Sequence, residues 1–163
     1  MNLTISGQVW DSANIVGRDW LQSYIREQWN IAERLVRKTR EVPSNSWNAY
    51  HGSLEVKIYP TYNFGNAGIH TPLGSVGWFN PLANDRVEVS WDLEFNLKRH
   101  VLIHEFGHVI SLHSLSSFSG DFGHGSLNDE YIKYIKKELG DANSYPYHGD
   151  VVVRHKRDFN TDL

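Results

Sequence analysis

The stretch Val101-Leu102-Ile103-His104-Glu105-Phe106-Gly107-His108-Val109-Ile110 decides how this chain is read. Leu102, Ile103, Phe106, Val109 and Ile110 recur at helical spacing, so a helix is expected to begin between Asp92 and Asn96 and to run past His108. On such a helix residues four apart share one face, about one turn apart, so His104 and His108 can both turn a ring nitrogen to one zinc ion. Glu105 stands beside the first of them. From there a carboxylate can take a proton from a water that the metal acidifies and pass it to a leaving amine. Aliphatic residues on both sides place this polar trio in low-dielectric surroundings, unlike two histidines on a solvated surface helix.

Upstream, Leu54, Val56 and Ile58 alternate with Glu55, Lys57 and Tyr59, the period of a strand with one buried face, and Pro60 ends the run. Val76 and Trp78 alternate in a second short run, and Val87, Val89 and Trp91 in a third. The turn-rich Asn80 to Asp85 lies between those two, so they are expected to pair antiparallel. Before all of these, Asp19-Trp20-Leu21-Gln22 looks like a capping box. The apolar positions from Leu21 to Val36 then predict an amphipathic helix that stops at Val42-Pro43. Downstream, Ser114 to Ser126 has the composition of a loop, and a last helix is expected from near Asn128 to Gly140, a good C-cap residue. The order of helix, strands, helix, loop, helix predicts an α+β fold with a small mixed sheet.

A chain of 163 residues fits one domain, expected over 1–163. Its net charge is -3, and its basic residues are dispersed apart from Arg34 to Arg40 and Lys133 to Lys137. A nucleic-acid partner would favour a basic stripe, so none is expected. No run of about eighteen apolar residues is present, so no membrane span is expected. Met1 to Trp10 has neither a basic start nor an apolar stretch, so no signal peptide is expected. Location and oligomeric state are not legible. With no cysteine in the chain, a metal must be held by His, Asp or Glu.

The segment His104 to Ile110 resembles the active-site helix of matrixin-type metzincins, within the zincin superfamily of metallopeptidases. Ser75 to Phe79 and Arg86 to Trp91 resemble the strands that precede that helix. The resemblance covers roughly residues 53–113. It departs where metzincins carry Gly and then His, because this chain has Ser111 and Ser114. The resemblance implies a zincin-like fold, a catalytic zinc and hydrolysis of a peptide or protein substrate, with Ser75 to Phe79 as an edge for extended substrate.

Four residues are candidates for a third zinc ligand. On a continuing helix His113 lies nine residues, about 900°, from His104 and therefore on the opposite side. Glu130 would make the site resemble gluzincins, but it shares a helix face with Lys133 and Lys137, as in a solvated ion pair. Asp121 is carried by no pattern. His124, in Gly123-His124-Gly125 just before the last helix, resembles the third ligand of SprT-like zincins and is the residue chosen. Tyr147 or His148 is a candidate to stabilise an oxyanion, and a turn with packed aromatics is the other reading of that segment. The expected activity is that of a zinc-dependent endopeptidase with Glu105 as base. Its alternatives are an SprT-like protease acting on DNA-associated proteins and a non-catalytic metal-binding or interaction module that retains the helix.

Overall fold

The computed structural model describes residues 1–43, 45, 47, 49–60, 67–74, 76–77, 80–93, 95–113, 121–123 and 125–140. Four strands and four helices occur among them: β1 (Asn2–Ser6), α1 (Gln8–Ser12), α2 (Ile15–Thr39), β2 (Ser53–Tyr59), β3 (Gly68–Pro72), β4 (Asn84–Ser90), α3 (Phe95–His113) and α4 (Ser126–Leu139). The fold is mixed α+β.

The four strands form one sheet in the order β1-β2-β4-β3. β1 runs parallel to β2 and β2 parallel to β4, while β3 alone is antiparallel and lies at the edge beside β4. Register puts Ile5, Val56 and Val87 side by side, and Leu54 opposite Asp85. Leu54, Val56, Ile58, Val87 and Val89 are all buried, so one face of the sheet belongs to the core. Directly opposed residues point to the same side, so Gly68 and His70 of β3, opposite Val89 and Val87, also face the core.

α3 is packed against β3 and β4 and against α2 and α4. Fourteen of its nineteen residues are buried, which makes it a core helix rather than an amphipathic surface one. α2 is the amphipathic partner: Leu21, Tyr24, Ile25, Trp29, Ala32, Leu35 and Val36 are buried on one side. The Trp29 ring meets Phe106 of α3 edge-on at 5.4 Å. α4 comes close because Gly107 has no side chain; a Cβ there would overlap the Tyr131 ring. Tyr131 donates its hydroxyl to the Ile103 carbonyl, and α2 and α4 are joined at the surface by an Arg34–Glu138 ion pair.

Three expectations need correcting. α2 begins at Ile15, four residues ahead of the expected box, because Asn14 caps it by accepting the Gly17 N–H at 2.7 Å. The antiparallel partner of β4 is Gly68–Pro72, and Val76 lies in no strand. β3 is thus one edge of the sheet and β1 the other; of the run Ser75 to Phe79 expected as an edge, Ser75, Trp78 and Phe79 fall outside the described residues. α4 starts at Ser126, two residues before Asn128. None of the described helices is long and apolar enough to cross a membrane.

Candidate active site

α3 brings together the residues that its sequence singled out. The Nε2 atoms of His104 and His108 lie 3.1 Å apart, with the two rings perpendicular. Two nitrogens held tetrahedrally by one zinc at about 2.0–2.1 Å would be about 3.4 Å apart, so the pair fits two corners of such a site. His104, Glu105 and His108 keep exposures of only 6, 8 and 7%, so all three are buried. Burial pushes the Glu105 carboxyl above its ordinary range, against the opposing pull of His108 and His70. Gly68 makes room for it: a Cβ at 68 would lie 2.6 Å from Val101 Cγ1 and 3.1 Å from Glu105 Cγ.

The other ring nitrogen of His108, Nδ1, donates to Asp121 Oδ1 at 2.8 Å. The same oxygen accepts the Gly123 N–H at 2.9 Å and lies 3.3 Å from Ser111 Oγ. Burial would lower the pKa of His108, but the Asp121 hydrogen bond and the Glu105 charge outweigh it and the pKa is raised. Asp121 is held low by that bond despite its own partial burial.

Sequence reasoning missed His70 and Asp85. His70 projects from β3 with its ring parallel to that of His108, the centroids 6.4 Å apart. Its Nε2 is 2.6 Å from Asp85 Oδ1. The other carboxylate oxygen, Oδ2, accepts from His113 Nε2 at 2.6 Å and from the Tyr50 hydroxyl at 3.0 Å. His113 Nδ1 in turn accepts the Gly77 N–H at 3.0 Å, so its ring proton is on Nε2. Asp85 is fully buried. Desolvation would raise its pKa, yet the bonds from His113 and His70 bring it down to about 2. An Asp at the start of an apolar strand carries no signal of this role in sequence; only register and topology show it.

Of the four third-ligand candidates, α3 runs unbroken through His113 and turns it onto Asp85 rather than towards His104. Glu130 is exposed on α4. Asp121 binds the back of His108. His124 lies outside the described residues, as do Tyr147 and His148. Among the described residues no group of three or more metal-ligating side chains is gathered.

Fold and site together define a mixed α+β chain with a histidine pair and a buried carboxylate on its core helix, beside β3 at one edge of its sheet. Comparison with known proteins adds no relative: no family model matches the chain, and no curated protein or solved structure matches it significantly.

Proposed function

We propose that this chain is a zinc-dependent endopeptidase of zincin-like fold, with His104 and His108 as metal ligands and Glu105 as general base. The observation that carries the reading is the convergence of two Nε2 atoms, 3.1 Å apart, next to a buried carboxylate. A bound zinc would polarise the scissile carbonyl and acidify the attacking water. Glu105, its proton affinity already raised by burial, takes the proton as the water oxygen bonds to the carbonyl carbon and the carbonyl π pair moves onto oxygen. It returns that proton to the departing nitrogen as the C–N bond breaks.

His124 is the proposed third ligand. It is three residues from Asp121, whose carboxylate reaches His108, and three residues of chain span at most about 11 Å. β3 supports a peptide substrate. Ala67 and Leu73 bond to β4, so by antiparallel alternation Gly68 and His70 turn their N–H and C=O groups outward. An extended peptide can pair there as an added strand alongside Glu105.

Metal analysis tests the reading. The purified protein is expected to hold about one zinc per chain, lost when His104 and His108 are both changed to Ala. Full zinc content in that double variant would place the metal elsewhere.

A further inference from the structure

His108 is anchored through its second ring nitrogen, and its anchor uses a residue at which the sequence departs from metzincins. A carboxylate only accepts, so Nδ1 of His108 carries the ring hydrogen given to Asp121, and in the neutral ring Nε2 keeps its lone pair, facing His104. Asp121 Oδ1 is itself fixed by several donors. Besides His108 it takes the Gly123 N–H at 2.9 Å and lies 3.3 Å from Ser111 Oγ. Ser111 is one turn beyond His108 on α3. Its hydroxyl also lies 3.2 Å from the His108 carbonyl and accepts the Phe122 N–H at 3.4 Å. A glycine at 111 could make none of these contacts. Ser111 thus fastens the segment 121–123 to the helix and aims one carboxylate oxygen at the back of a ligand ring.

We propose that Asp121, fastened by Ser111, is a positioning residue that fixes His108 in the Nδ1–H tautomer and thereby strengthens metal binding at Nε2. The metal half of this inference rests on the zinc reading above; the tautomer half does not. Outer carboxylates of this kind orient the ligand ring and make it more basic, and their loss costs about 10–100-fold in metal affinity.

Two measurements on the full chain test it. Imidazole nitrogen NMR of the metal-free protein, at alkaline pH where the rings are neutral, should show His108 as Nδ1–H in the wild type and in Asp121→Asn, whose amide oxygen still accepts. Asp121→Ala should lose that preference. Zinc affinity by chelator competition should fall about 10–100-fold in Asp121→Ala, less in Asp121→Asn, and by an intermediate amount in Ser111→Ala. A His108 found as Nε2–H in the wild type, or an affinity unchanged in Asp121→Ala, overturns the proposal. Equal and complete loss of zinc in both Asp121 variants also overturns it, by making Asp121 a ligand. A wild type that binds no zinc removes the zinc reading, and the tautomer spectra then decide the role of Asp121 alone.

Discussion

Glu105 and His108 carry the sharpest expectations at the scale of single residues. In Glu105→Gln the amide cannot accept a proton from water, so hydrolysis should fall by about a hundredfold or more while zinc and fold are retained. Activity within tenfold of wild type on any peptide that is cleaved would remove Glu105 as the base. Protons compete with the metal for His108, whose pKa is raised because the Asp121 bond and the Glu105 charge outweigh burial. Zinc affinity should therefore weaken as pH falls, from a higher pH than an ordinary histidine would give. Glu105→Gln removes one of the raising charges and should move that onset to lower pH; a titration of zinc affinity against pH that is superimposable in the two proteins would refute this account. The proximity of His104, Glu105 and His108 was legible in sequence because residues one and four apart are neighbours on any helix. His70 and Asp85 were not, since what unites them is a strand register spanning residues 67 to 90.

At the scale of elements, legibility followed the source of each element's stability. β2, β4 and α3 announced themselves through apolar periodicity. β3 did not, because its core-facing positions are Gly68 and His70, neither of which reads as apolar, and it ends at Pro72. β1 has only five residues, and its parallel partner lies some fifty positions away, so no local turn marks the pairing. The capping box at Asp19 misplaced the start of α2, since Asn14 offers a cap one turn earlier. The approach of α4 to α3 through Gly107 gives a direct test. Gly107→Ala forces the Tyr131 ring away, an overpacking that should cost about 1–3 kcal/mol in urea unfolding. A stability equal to wild type would mean that the two helices are held apart in solution.

For the whole molecule, Asp85 ties the edge strand, the end of α3 and Tyr50 to one buried charge. Its folded pKa, about 2, lies below the ordinary 3.8. Its contribution to stability is therefore complete above about pH 4 and lost as pH falls towards 2, an amount of about 2 kcal/mol. Urea unfolding should show this acid-labile part in the wild type and not in Asp85→Asn, which should be less stable by about 1.5–3 kcal/mol near neutrality. Parallel curves for the two proteins between pH 5 and 2 would assign the acid loss to other carboxylates.

The edge that the sheet turns outward is short. A peptide lying along β3 meets the N–H and C=O of Gly68 and of His70, and from Pro72 a carbonyl alone. Five main-chain groups at about 1 kcal/mol each supply roughly 5 kcal/mol, before the cost of straightening the incoming chain is subtracted. Such a grip is no tighter than about the high micromolar range. On the proposed endopeptidase reading, so short an edge would favour segments that are already extended over folded domains, and would let both halves go once the bond between them is cut.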